Sequence, residues 1–344
     1  MSRLNKQYSG IYPILIILLV LAMLVSIRYG AVNISLQEMF TGLGKWFRKS
    51  DPLSLNERIF TEIRLPRAIL CVFVGASLAV GGVLMQSLFR NPIVEPGLIG
   101  TSSGAAFGAS FYFVLGAVLN FNTGEWTLPL AAALGGVLAT FMVFVLSGSK
   151  QSGKDSIVNL LLVGIAVNAL FMSGVGFMAY IARDPQARSI TFWTLGTLSG
   201  GNWHSVIIVG TTSVFCIGAA LRYTKHLNAL MIGEEEARYI GINITHLKLV
   251  ILLINVLMVA VATAFTGVIS FVGLIVPHLL RIIKGSDNRF LVIGGALMGG
   301  LLLSLADITA RLLLQPAELP IGIVTSIIGV PVFILLLRKK NNYS

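Results

Sequence analysis

Charge is scarce in this sequence. Only 11% of its 344 residues are Asp, Glu, Lys or Arg, whereas soluble domains carry about 25%. That excludes an ordinary soluble domain and leaves an integral membrane protein. Cysteine is scarcer still: Cys71 and Cys216 sit singly in apolar runs. They have no metal-like spacing and read as small buried hydrophobes. The four histidines, His204, His226, His246 and His278, are scattered at segment ends and loops, with no HExxH or paired-ligand pattern. No two acids lie deep in facing spans. Catalytic residues, a metal site and a cofactor are therefore not expected. A cleavable leader is also missing. The polar, basic stretch Ser2 to Gly10 runs into a segment long enough to span and without a small-residue cleavage site, so it reads as a retained first helix.

One motif comes close to nucleotide chemistry and fails. Gly148-Ser149-Lys150-Gln151-Ser152-Gly153-Lys154-Asp155 nearly spells a phosphate-binding loop, but Asp155 stands where a hydroxyl must reach magnesium. An apolar span precedes it instead of a buried strand. If ATP drives this protein, another subunit hydrolyses it.

What is abundant is apolar sequence, at 56% of residues and a mean hydropathy of +0.87. About 20 apolar residues cross a bilayer, and on that rule the chain divides into about ten spans. They lie near 11–30, 66–89, 97–119, 128–147, 156–181, 204–221, 248–266, 270–283, 290–313 and 320–337. The expected fold is an all-α integral membrane protein forming a single permease-like domain over 1–344. An even number of spans puts both termini on one side. Arg3, Lys6 and Arg338-Lys339-Lys340 mark that side as cytoplasmic, so residues 222–247 form a cytoplasmic loop and 31–63 an extracytoplasmic one. The net charge of +11 then reports topology and contact with anionic lipid, not nucleic acid. Six basic residues, Lys45, Arg48, Lys49, Arg58, Arg64 and Arg67, crowd the outside near the first loop. Topology does not ask for them, so they need another reason.

Within the spans, Gly100, Gly104 and Gly108 stand four apart, as do Gly295 and Gly299, a spacing that lets membrane helices pack closely. Pro277, Pro320 and Pro331 kink or start helices. His278 with Arg281 suggests interfacial snorkelling. Asp307 and Arg311, four apart in the ninth span, either pair with each other or contribute Arg311 to an outward-facing cluster with Arg64 and Arg67 that attracts an acidic partner. Asn159 and Asn168 are open between interhelical hydrogen bonds and the lining of a path.

The longest polar interval of the second half is Arg222 to Lys248, centred on Gly233-Glu234-Glu235-Glu236-Ala237-Arg238-Tyr239-Ile240-Gly241. Three acids suit the positive end of a short helix. Glu234 and Arg238 can pair along it, Ala237 and Ile240 give it an apolar side, and Gly241 stops it. Local pattern alone fits either a solvated loop or a helix that a soluble partner grips.

Three stretches together resemble the FecCD-type permeases of ABC importers for ferric siderophores, haem and cobalamin. The first is Arg64-Leu65-Pro66-Arg67, the run Gly75 to Gly82 with Gln86, and Arg90-Asn91-Pro92-Ile93-Val94-Glu95-Pro96-Gly97-Leu98-Ile99-Gly100. The second is Gly233 to Gly241. The third is Gly273 to Arg281, Asp307 to Arg311, and Pro316-Ala317-Glu318-Leu319-Pro320-Ile321-Gly322. Val94-Glu95-Pro96 stands where family members often have Ala-Asp-Pro, which keeps the acid. The resemblance covers nearly the whole chain, in order, and implies ten helices per subunit in a bacterial cell membrane. Two permease chains, identical or related, would pair around a path, each resting on a cytoplasmic ATP-binding subunit. Gly233, Glu234, Glu235, Glu236, Ala237, Arg238 and Gly241 would be the coupling element. Arg64, Arg67 and Arg311 match the arginines that meet a glutamate on each lobe of the extracytoplasmic substrate-binding protein. Arg311→Glu would then weaken docking without unfolding the chain. A path lined by the fifth and tenth spans would pass Asn159, Asn168, Gly322 and Gly329. Ferric siderophore is the first choice of cargo, haem second and cobalamin third. The rival is an ion-coupled secondary transporter, which requires a coupling acid at mid-membrane.

Overall fold

The computed structural model describes residues 10–30, 32–48, 52–116, 124–147, 154–314 and 317–341. Arg3, Lys6, Lys49, the phosphate-loop look-alike over 148–153 and the side chains of Arg338, Lys339 and Lys340 lie outside the described residues. The described chain is helical. In order it forms α1 (Ile11–Arg28), α2 (Leu36–Arg48) and α3, a continuous helix over Leu55–Leu88. A one-turn helix (Pro96–Ile99) leads into α4 (Thr101–Leu115), then α5 (Thr127–Ser147), α6 (Lys154–Ile181), α7 (Asp184–Thr194) and α8 (Trp203–Ile232). The rest is α9 (Glu234–Tyr239), α10 (Ile244–Thr266), α11 (Val272–Lys284), α12 (Asn288–Leu312) and α13 (Ile321–Asn341). Seven of these, α1, α3, α5, α6, α8, α10 and α12, are long and apolar enough to cross a membrane. The shorter α4, α11 and α13 fall on the third, eighth and tenth expected spans.

α3 is the hub. In its most apolar window 83% of residues are buried, against 22% in α6, so α3 is the central element and α6 a peripheral one. It packs on α12, α8, α10 and α11. Glycine permits the closest of these approaches: a Cβ on Gly75 would lie 2.2 Å from the Gly299 carbonyl oxygen, and one on Gly82 would lie 1.8 Å from that of Gly273. α4 and α5 make the second tight pair, with Gly104 against Gly135 and Gly108 against Ala131. Gly100 also packs on α5, where a Cβ would lie 3.3 Å from the carbonyl carbon of Ala139, and it has a second role. It turns the chain into α4 at φ +91, a left-handed conformation that suits glycine.

Two stretches expected as loops are mostly helical. Residues 31–63 hold α2 and the start of α3. Ser54 caps α3 in a reciprocal capping box with Glu57, and Lys45 pairs with Glu57 at 2.9 Å. Asn56 donates to Glu38 at 2.7 Å. That amide, with the Ser35 N–H and hydroxyl, holds the Glu38 carboxyl below its usual range. Met39 and Gly42 of α2 face Phe60, and Trp46 stacks on Trp203 at 5.3 Å. Leu36, Phe40 and Phe47 stay exposed along an adjacent stripe. The interval 222–247 is no loop at its start, because α8 continues to Ile232. Its buried positions Ala220, Thr224, Leu227 and Leu230 repeat at helical spacing and hold it on the core. At 30 residues α8 is about 45 Å long, which exceeds the roughly 30 Å hydrocarbon layer.

Candidate functional site

The start of α3 and the end of α12 meet at the end of the molecule where α1 finishes. There Arg64, Arg67 and Arg311 come together, as the sequence suggests, but they do not present a free cationic surface. All three are buried. Arg64 donates through Nη1 to the carbonyls of Ile27 and Arg28, both at 2.9 Å, and through Nη2 to that of Val32. These are carbonyls at and beyond the end of α1, where the helix has no further N–H to offer them. Gly30 leaves the room: a Cβ there would lie 2.7 Å from Arg64 Nη2. Arg311 secures the same helix end by donating to the Ser26 carbonyl at 3.0 Å and hydroxyl at 2.7 Å.

Arg67 is gripped by two acids. Nε and Nη2 donate to Asp307 Oδ1 at 3.1 and 2.8 Å, and Nη1 donates to both oxygens of Glu318 at 3.1 and 2.9 Å. Asp307 Oδ2 also lies 3.0 Å from Arg311 Nε. The two open readings of Asp307 and Arg311 thus merge: they pair with each other, and through Asp307 they join Arg67. Two other basic residues near the first loop have partners within the chain as well. Arg58 pairs with Glu62 at 3.3 Å, and Lys45 with Glu57. The burial of Arg311 beside Asp307 argues against the expectation that Arg311→Glu leaves the fold intact, because the new carboxylate would be buried next to another.

At the other end of α8 stands α9. Glu234 is buried and pairs with Lys248 at 3.0 Å, not with the exposed Arg238, because the helix turns Glu234 toward α10. Ala237 is buried as expected. Ile240 is not, lying 68% exposed beside Tyr239 at 87% and Ile232 at 78%. Gly241 ends the helix at φ +87. Its N–H donates to Arg238 O at 2.9 Å and that of Ile242 to Ala237 O at 3.0 Å, the paired bonds of a Schellman stop. The result is a rigid knob carrying Glu235, Glu236, Arg238, Tyr239 and Ile240 outward. Its footing is firm. Asn228 of α8 donates to Asp287 at 3.1 Å and accepts from the Asn288 backbone and side chain at 2.8 and 2.9 Å. Asn288 in turn accepts from Ser87 of α3. Arg281 also differs from the snorkelling reading: it turns inward to Gln86, which bonds the Gly273 and Leu274 carbonyls.

Between these ends is a cavity of about 380 Å3, whose polar lining comes from Glu95, Ser102, Ser103, Asn168, Thr194 and Ser270. Asn168 donates to Leu98 O at 2.8 Å and accepts from Ser103. Glu95 accepts from the Phe271 N–H at 2.9 Å, which fixes the turn into α11. The four residues expected along a path are not gathered into one cavity. Asn159 donates to Ser147 O at 3.2 Å, and Gly322 donates to Leu195 O at 2.9 Å. Gly329 lines a separate apolar cavity of about 240 Å3 between α11, α12 and α13.

The FecCD transport family matches residues 18–339 of the chain. The chain belongs to that family. It is 38% identical over 331 residues to the hemin transport system permease protein HmuU of Yersinia pestis, covering 96% of each chain. It is 33% identical over 341 residues to the Fe(3+)-citrate import system permease protein YfmD of Bacillus subtilis, covering 99% of this chain and 98% of the other. A solved structure described as an inward-facing conformation of a metal-chelate type ABC transporter superposes with a TM-score of 0.83. It shares 30% identity and covers 96% of this chain and 99% of that one. As a FecCD permease the chain is the membrane subunit of an ABC importer and is not itself the ATPase.

Sequence reasoning about this FecCD permease missed three parts of these sites. In the sequence Glu318 stands out only as part of a motif, although an acid is the natural partner of a buried arginine. Glu95 shows there only as a replacement for aspartate, since its bond to Phe271 joins residues far apart in the chain. Tyr239 carries no local signal, because only the orientation of α9 turns it away from the fold.

Proposed function

We propose that this permease moves an iron chelate inward across a bacterial cell membrane, with ferric siderophore as the first choice of cargo. Haem is the second, favoured by the likeness to the Yersinia pestis hemin permease, and cobalamin the third. Both termini and α9 face the cytoplasm, and α2 lies outside. A second permease chain pairs with it around the path, and a separate ATP-binding subunit seats α9 in a groove. A loaded binding protein docks on the outer surface over Arg64, Arg67 and Arg311. ATP draws the two ATPases and their coupling helices together, the path opens, and hydrolysis resets it. The observation that carries this reading is the α9 knob. Large apolar side chains stand exposed beyond the end of a helix longer than the hydrocarbon layer is thick, on a footing too well bonded to be a loose loop, and they call for a protein cover.

The test is reconstitution with an ATPase subunit and candidate binding proteins, measuring ATP hydrolysis against a panel of ferric siderophores, haem and cobalamin. Stimulation by one class names the cargo. Failure of any ATPase to associate would defeat the coupling role of α9.

A further inference from the structure

We propose that Glu318 is a stand-in for a partner's carboxylate. It occupies Arg67 until an acidic side chain of the docked binding protein takes its place, and its release loosens the segment leading into α13. The inference rests on the docking reading above and adds to it a residue that controls docking.

The two acids on Arg67 differ in reach. The Asp307 side chain is 1% exposed and that of Glu318 44%. Asp307 is also shared with Arg311, so removing it would leave that buried cation without its acid and Arg67 with Glu318 alone. Glu318 stands in the connection between α12 and α13 and can swing into water at little cost. An incoming carboxylate would accept from the same Nη1 group that Glu318 holds at 3.1 and 2.9 Å. One charge-assisted contact replaces another, and the displaced carboxylate regains its hydration. Such an exchange is close to balanced, as suits a partner that must dock and leave in every cycle. It also explains how a buried arginine can serve an external acid: Glu318 keeps it neutralised and shielded while the site is empty.

Glu318 is tied to the interior as well. The next residue, Leu319, donates its N–H to Ala310 O at 3.0 Å, Ile321 to Gly196 O at 3.1 Å and Gly322 to Leu195 O at 2.9 Å. Leu195 and Gly196 form the turn directly after α7, and Thr194, the last residue of α7, lines the 380 Å3 cavity. A short run of backbone bonds therefore joins the exchangeable ion pair to the cavity wall. Releasing Glu318 frees one end of that run, so docking is felt at the path.

The permease–ATPase complex in nanodiscs would be tested with the binding protein selected by the reconstitution above. Glu318→Gln keeps the size of the side chain and removes its charge. The expected result is about tenfold tighter binding of that protein, equivalent to about 1.4 kcal/mol, with ATP hydrolysis in its absence raised severalfold. A merely structural Glu318 would lower thermal stability without strengthening binding. Glu318→Asp, which shortens the reach but keeps the charge, should change affinity in the same direction and serves if the first variant folds poorly. The double variant R67Q/E318Q removes a cation and an anion together and leaves Asp307 paired with Arg311. If it loses binding while neither single variant strengthens it, Arg67 docks the partner and the stand-in role is overturned. If it binds as the wild type does, Arg67 does not dock the partner, and both readings fall.

Discussion

Arg67, Asp307 and Arg311 act as one unit, because Asp307 lies between two guanidiniums and is the acid both reach. Taking one member from a buried set leaves an uncompensated charge, at a cost of about 3–5 kcal/mol. Arg311→Glu goes further by adding a second buried anion and by releasing Ser26 at the end of α1. It is expected to lower the apparent melting temperature in detergent by about five degrees or more, on the scaling of unfolding entropy with chain length. A fluorescence-detected melt checks this, and a melting temperature within a degree or two of wild type would contradict the buried network. Arg64 is of another kind, since its bonds go to backbone carbonyls and no acid among the described residues lies within bonding distance. It caps a helix, and lysine at that position could not serve three carbonyls from one planar fork.

At the level of elements, α9 and α2 each show a protein-facing side and an unpaired side. In α9 the protein-facing side is Glu234 and Ala237, and the outward side is Tyr239, Ile240 and the remaining charges. Tyr239→Ala with Ile240→Ala should leave the permease folded and weaken its association with the ATPase by tenfold or more, about 1.4 kcal/mol, as read by co-purification. Glu234→Ala should instead reduce stability, since it strands Lys248. In α2 the stripe Leu36, Phe40 and Phe47 lies beside the packed face, with Arg48 flanking it. Aromatic side chains next to basic ones at the end of a span suit the lipid headgroup level. Nitroxides at 40 and 47 should be relaxed by oxygen more than by a water-soluble nickel complex, and one at 37 by the reverse. Equal access to the nickel complex at all three would place α2 in water.

Over the whole molecule, α8 sets the distance between the two working faces. Trp203 at its start stacks on Trp46, and Ile232 at its end adjoins α9. Gln37 and Glu235 therefore stand at opposite ends of a helix about 45 Å long. Single cysteines there should react with an impermeant maleimide from opposite sides, Gln37→Cys in intact cells and Glu235→Cys in inverted vesicles. Cys71 and Cys216 are buried and give little background. Labelling of both from one side would break the proposed topology. The hub α3 ties both ends together, reaching Asp307 through Arg67 at one end and Asn288 through Ser87 at the other.

The class of molecule, the position of ten apolar segments, the three motif stretches and the stop at Gly241 are all legible in the chain without its fold. Each of these depends on apolar run length or on residues close together in the chain. How the charges are used is settled by helix packing instead. Whether Arg67 faces water or Glu318, whether Glu234 meets Arg238 or Lys248, and whether Ile240 packs inward or projects depend on how helices are rotated against one another. That rotation is set by glycine contacts such as Gly75 with Gly299, made between residues more than two hundred positions apart. A local pattern shows which residues share a helix face, but the neighbouring helix decides which face is covered.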